Sequence, residues 1–305
     1  MDIFLHHYPA SLFSEKVRLL LGYLGAEWHS VVIPSIMPRP LLMPLSGGYR
    51  KTPVLQIDAN VYCDTRIIAR ALARQFGNEE LYAHGFVAER VADWADTDLF
   101  RITVALNFAP AALGPMMGSF PPEEMAAFQK DRAELTAGAS ITSYSAEAAR
   151  GYLAPALHEL NAAVTQGFLF GPRPCVADFA VYHCLWFLRN NPVNAPLVDD
   201  FSEVLGWMER MADFGHGQVR ESNGEAALAA ARGARPVLPA IDSRLPEGFS
   251  VGRAVEVTPV DYGRVPVRGK LAAWSVDEIV IERETDDTGP VMVHFPSPGF
   301  EVRGV

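Results

Sequence analysis

Apolar positions alternate with period two and then with a period near 3.6 through the first eighty residues, and the switches mark out a succession of elements. Asp2 to Tyr8 reads as a short strand. Ser11-Leu12-Phe13-Ser14 then leads into Val17, Leu20, Leu21 and Leu24, an i, i+3, i+4, i+7 stripe that predicts an amphipathic helix stopped by Gly25. Trp28 to Ile33 is a second strand, followed by an irregular proline-rich loop. Val54-Leu55-Gln56-Ile57 and Val61-Tyr62-Cys63 are two further strands joined by the turn Asp58-Ala59-Asn60. Asp64-Thr65, with short oxygen-bearing side chains, opens a helix whose apolar face is Ile67, Ile68 and Leu72. The order is β-α-β, loop, β-β-α.

From Phe86 to about Arg232 the chain is alanine-rich with helical periodicity. A helix through Val87, Val91, Trp94 and Ala95 is predicted to run past Phe100 to Ala109, where a proline- and glycine-rich patch, Ala109 to Pro122, breaks it. Further helical tracts are a helix from Pro122 with Glu123 and Glu124 in its first turn, then Tyr144 to Thr165, Val176 to Arg189, Phe201 to Asp213 and Gln218 to Arg232. Pro236, Pro239 and Pro246 mark an extended linker. Beyond it, Arg253–Thr258, Val265–Leu271, Glu278–Glu282 and Val291–Phe295 are strand-like, separated by turn signals. The predicted architecture is therefore α/β plus all-α with a small all-β extension: residues 1–80, 86–232 and 248–305. The extension reads either as a partial barrel or as a sheet packed on the helical unit, serving packing or assembly.

Lys51-Thr52-Pro53-Val54 reads as a peptide-recognition edge. Proline cannot donate a ladder hydrogen bond and tolerates a cis peptide, so Pro53 at a strand entrance leaves neighbouring backbone groups for a ligand. The bland alternative is a hairpin followed by a capped helix. Composition removes other classes: a net charge of -10 opposes general nucleic-acid binding, which depends on neutralising phosphates, and disfavours anionic membranes. No stretch of eighteen apolar residues occurs and the N-terminus lacks a signal-peptide pattern, which points to the cytoplasm. The three cysteines, Cys63, Cys175 and Cys184, form no Cys-x-x-Cys and have no histidine at metal-site spacing, so neither a disulfide scaffold nor a metal site is expected.

The element order of the first eighty residues resembles a thioredoxin-like domain, with Ser11 and Ser14 where redox members carry Cys-x-x-Cys. Tyr8 to Arg18, Gly47 to Leu55 and Cys63-Asp64-Thr65 resemble the glutathione-site motifs of the cytosolic glutathione transferases, and Pro174 to Phe179 resembles the helix-start box of that family's all-helical domain. The resemblance covers roughly residues 1 to 230. Leu12, where relatives often have proline, and Cys175, where they usually have Ser or Thr, depart from the pattern. The resemblance implies a thioredoxin-like first domain, a helical-bundle second domain and a homodimer. It implies glutathione as co-substrate, an electrophilic small molecule as second substrate, and no metal.

By that resemblance Ser11 is the residue to aim a hydroxyl at the glutathione sulfur, with Ser14 or the Tyr8 phenol as alternatives, or Ser11 is only a helix cap. A thiol of pKa ~8.5 is mostly protonated at neutral pH, so a hydroxyl donor and a helix N-terminus are what its thiolate requires. Val54 after a cis Pro53 would pair its backbone with the cysteinyl part, Asp64 and Thr65 would hold the γ-glutamyl carboxylate and amine, and Lys51 would meet the glycyl carboxylate, with Arg50 as the alternative. Tyr8, Phe13, Trp94, Phe100, Arg101 and Phe108 are candidate walls for the acceptor, whose identity the sequence leaves open. The alternative function is a non-catalytic glutathione- or ligand-binding scaffold of the same fold.

Overall fold

The protein is described here by a computed structural model that covers residues 1–117, 121–139, 141 and 143–305. Its first eighty residues form β1 (Ile3–His7), α1 (Leu12–Tyr23), β2 (Glu27–Val32), the short α2 (Met43–Ser46), β3 (Val54–Ile57), β4 (Asn60–Cys63) and α3 (Thr65–Phe76). β1 runs parallel to β2 and antiparallel to β3, and β3 is antiparallel to β4, which is the thioredoxin-like arrangement. The alternation seen in sequence sorts the side chains by face. Ile3, Leu5, Leu55, Ile57 and Tyr62 join one core, against α1 and α3, while Phe4, Val54, Val61 and Cys63 join another on the opposite face.

The helical unit comprises α4 (Gly85–Trp94), α5 (Phe100–Asn107), α6 (Pro110–Met117), α7 (Pro122–Thr136), α8 (Ala146–Ala163), α9 (Val176–Arg189), α10 (Pro196–Asp199) and α11 (Ser202–Ala212). A π-helical turn, Ala95–Leu99, joins α4 to α5 into one continuous rod, as the periodicity predicts. The patch 109–122 is not wholly a break: Pro110–Met117 is helical, and residues 118–120 lie outside the described residues. At the head of α9, Cys175 and Asp178 form a capping box. The Asp178 carboxylate takes the Cys175 N–H at 2.9 Å and also those of Leu169 (2.9 Å) and the Trp207 indole (3.0 Å). Burial of α9 is nearly complete over Val176–Leu185, and it forms the hub against which α1, α4 and α5 pack.

Two further features differ from the sequence expectation. Gln218–Arg232 is not one helix: Gln218–Ser222 is β5, parallel to β2, and only then does α12 (Gly224–Gly233) begin, with Asn223 accepting the Ala226 N–H as its cap. The C-terminal extension, β6 (Ala254–Pro259), β7 (Val267–Trp274), β8 (Glu278–Thr285), β9 (Gly289–Pro296) and β10 (Phe300–Gly304), does not sit on the helical unit as a separate sheet. β9 pairs in parallel with β4, so the described residues form one ten-strand sheet of order β10-β6-β7-β8-β9-β4-β3-β1-β2-β5. The free edge of β4 is thereby covered, and the second core extends from Phe4 and Val61 into Val257, Leu271, Ile281, Val293 and Phe295.

A buried polar cluster fastens this junction. His294 donates from Nδ1 to Glu278 Oε1 at 2.7 Å, and Glu278 Oε2 accepts from Arg74 of α3 at 2.8 Å. Burial keeps the His294 imidazole neutral, whereas the hydrogen bonds and charges of His294 and Arg74 outweigh burial and hold the Glu278 carboxyl below its ordinary range. With its proton on Nδ1, His294 presents Nε2 as an acceptor. Asn60, with its amide nitrogen turned to the ring, donates to it at 3.1 Å and to Val237 O at 2.9 Å.

Candidate functional site

Because β1 and β4 end where β3 begins, the chain after β1, the entrance to β3 and the start of α3 meet at one end of the thioredoxin-like sheet. Ser11 is the N-cap of α1: its Oγ accepts the Ser14 N–H at 3.2 Å, and its own N–H bonds Tyr8 O at 3.1 Å. The oxygen is thus engaged as an acceptor, the side chain is buried at 3% exposure, and its proton has no acceptor among the described residues. Ser14, one turn on, is buried, and its hydroxyl has no partner among the described residues. Tyr8 is half-buried beside the same terminus.

The Thr52–Pro53 peptide is cis, and Val54, fully buried, lies between His6 of β1 and Cys63 of β4. Asp64 follows at once, with φ 101°, an unfavourable backbone conformation for a residue with a Cβ, and caps α3 by accepting the Arg66 N–H at 2.9 Å. Burial raises the Asp64 carboxyl above its ordinary pKa, opposed chiefly by the Lys51 ammonium, so these two candidates share one local field. Thr65 is tied to α1, since Lys16 Nζ donates to its Oγ1 at 3.2 Å. Ser11, Tyr8, Pro53, Val54, Asp64, Thr65 and Lys51 therefore gather at one end of the sheet. Arg50 turns away and pairs with Asp131 of α7 at 2.7 Å.

Sequence reasoning missed several groups that shape this site. Arg39, buried, donates to Pro34 O, Ser35 O, Arg50 O and Thr52 Oγ1 within 2.8–3.0 Å, clamping the proline-rich loop onto the strand entrance. Lys16 also pairs with Asp96 on the π-helical turn at 2.6 Å, and Asp96 accepts from His183 of α9 at 3.0 Å. For Asp96, burial is outweighed by Lys16 and His183, which hold the carboxyl below its usual range; burial keeps His183 neutral. This chain carries Thr65 into the helical unit. The one sequence signal was a lysine beside an apolar helical stripe, at Lys16, four residues before Leu20.

Among the candidate walls, Phe13 packs on Phe100 (4.9 Å between ring centres) and on His183 (4.8 Å), while Phe108 stacks with Phe128 at 6.2 Å. Among the described residues no group of three or more His, Cys, Asp or Glu side chains is placed to hold a metal ion, and no helix is long and apolar enough to cross a membrane.

A thioredoxin-like domain with a serine-capped helix, a cis-proline strand entrance and a strained helix cap at one end of its sheet, packed on an all-helical domain, defines the class of this protein. Residues 5–80 match the family described as Glutathione S-transferase, N-terminal domain, and residues 143–210 match Glutathione S-transferase, C-terminal domain. A GST-like protein from Pseudomonas syringae is 40% identical, with a TM-score of 0.78 over 99% of this chain and 100% of its own; that coverage takes in the β extension. The apo form of glutathione S-transferase III is 18% identical, with a TM-score of 0.50 over 70% of this chain and 92% of its own, a likeness of fold. No curated protein matches the chain. The chain belongs to the glutathione S-transferase superfamily.

Proposed function

We propose that this protein binds glutathione at the Ser11 end of its sheet and activates the thiol for attack on an electrophilic small molecule. The observation that carries the reading is the Ser11 hydroxyl, whose oxygen is occupied by the Ser14 N–H and whose proton is free for a sulfur at the positive end of α1. In this reading Val54 supplies backbone pairing beyond Pro53, Asp64 and Thr65 receive the γ-glutamyl end, and Lys51 faces the glycyl end. Asp64 accepts the ligand's amine, and the α3 N-terminus receives its carboxylate. The hydroxyl lowers the thiol pKa without itself ionising and the thiol proton passes to solvent; the thiolate then forms the new S–C bond as a leaving group departs with its electron pair or, in an addition, as the electrophile's π pair moves off the reacting carbon and is protonated by water. The homodimer and the cytoplasmic setting belong to the same proposal; light scattering of the purified chain tests the first.

The test compares Ser11→Ala with Ser11→Thr across a panel of electrophiles. Ser11→Ala is expected to lower kcat by about 100-fold while the glutathione Kd changes less than about threefold, with Thr restoring most of the rate. Loss of the cap destabilises α1 by about 1 kcal/mol, which leaves the chain folded. Unchanged turnover in Ser11→Ala contradicts the assignment and moves it to Ser14, Tyr8 or backbone donors.

A further inference from the structure

The loop between β6 and β7 reaches into the site from the C-terminal extension. Lys51 Nζ is bonded to both carboxylate oxygens of Asp261, at 2.6 and 2.8 Å, and lies over the Tyr262 ring, 4.3 Å from its centre. The loop is held on its other side as well: Gly263 N donates to Leu135 O of α7 at 2.8 Å. Gly263 has φ 63°, and a Cβ there would lie 3.2 Å from the Leu135 side chain and 3.6 Å from that of Lys51, so the loop seats closely between α7 and the lysine. Tyr262 is half-buried, and burial together with the negative charges of Asp261 and Asp64 pushes its phenol well up. This places the loop against the Lys51 side of the site.

We propose that Asp261 is an internal carboxylate standing where the glycyl carboxylate of glutathione would meet Lys51, so that the β6–β7 loop sets the site's specificity toward thiol peptides whose C-terminal carboxylate is masked as an ester or amide. The inference rests on the glutathione reading of the site. A free glycyl carboxylate either displaces Asp261 or shares Lys51 with it, and two carboxylates on one ammonium repel each other. Lys51 is only 13% exposed, so solvent screens that repulsion incompletely, whereas Asp261 at 37% keeps the penalty moderate. A neutral ester or amide meets no such competitor, and the Tyr262 face offers it an apolar and aromatic surface.

The experiment is calorimetric titration of the full chain, its Asp261→Asn variant and a Lys51→Met/Asp261→Asn double variant with glutathione and with its glycyl ethyl ester. The wild-type chain is expected to bind the ester about fivefold more tightly than the free acid. Asp261→Asn reverses that order by improving the free acid about tenfold while moving the ester less than about twofold, and the double variant binds both alike. Equal preference for the free acid in wild type and Asp261→Asn overturns the role of Asp261 while leaving the glutathione site standing. Binding of neither ligand to any of the three chains overturns the site reading itself, and this inference with it.

Discussion

Replacing Glu278 by Gln probes the junction that joins the extension to the first domain. Its carboxylate is 1% exposed and accepts from His294 Nδ1 (2.7 Å), itself fully buried, and from Arg74 (2.8 Å), which is 38% exposed. A hydrogen bond to a charged group is worth about 1.5–3 kcal/mol, and the Arg74 pair, reachable by solvent, at most about 1. Gln can keep one acceptor toward His294, but its amide then faces the Arg74 guanidinium, donor against donor. The wild-type carboxylate also opposes the burial cost of its partners, a contribution that a neutral amide lacks. The expected loss is about 2–3 kcal/mol at pH 7, read as a lower urea midpoint with an unchanged slope. Glu278→Leu, which strands the His294 N–H, should cost about 3–5 kcal/mol. A Glu278→Gln midpoint within about 0.5 kcal/mol of wild type would refute the view that this cluster fastens the extension.

Acid should weaken the protein through two buried histidines of β1: burial lowers the pKa of His6 to about 4, and burial helped by the Arg18 charge does the same for His7. Both stay neutral in the fold while the unfolded chain takes up protons near the ordinary imidazole value of about 6.5, so stability is full above that value and falls as pH drops from about 6.5 toward 4, by about 3 kcal/mol per histidine. Urea midpoints that stay level over this window would contradict the assignment. Gly22→Ala should destabilise by about 3 kcal/mol or more, because the added methyl would overlap the carbonyl oxygen of Gly215 where α1 meets the turn before β5. An unchanged thermal midpoint would show that this turn yields freely. Asp178→Ala should cost about 3–5 kcal/mol by leaving the N–H groups of Cys175, Leu169 and Trp207 without their acceptor, measured by denaturant titration against Asp178→Asn, which keeps part of the network. A loss under about 1 kcal/mol would mean that the three donors find other partners.

Elements whose own residues carry a strong period were legible in the chain. The stripe Val17, Leu20, Leu21, Leu24 gave α1, the alternation around Val54 and Val61 gave β3 and β4, and Val176–Arg189 gave α9 to the residue. β5 escaped because Gln218–Ser222 is almost wholly exposed and has no apolar alternation; the strand it pairs with is β2, nearly two hundred residues earlier. The β4–β9 pairing is equally remote in sequence, so the four strands read in the tail carried no signal of where they dock. β10, beginning at Phe300, was too short and polar to register. Within the candidate site, the helix caps at Ser11 and Asp64-Thr65 and the strand entrance at Pro53 were visible because such features have local chemistry. Asp261, Arg39 and Asp96 were not, because their roles arise only from tertiary contacts with Lys51, Thr52 and Lys16.

The central claim, that the Ser11 end of the sheet stabilises a glutathione thiolate, is tested most directly by the ionisation of bound glutathione. The thiolate's ultraviolet absorbance is followed against pH with saturating glutathione on the wild-type chain and on Ser11→Ala. The account predicts a bound thiol that ionises at least about one unit below the ~8.5 of a free thiol, equivalent to about 1.4 kcal/mol of thiolate stabilisation, and that returns toward the free value in Ser11→Ala. A bound thiol that titrates like free glutathione in the wild-type chain would contradict it.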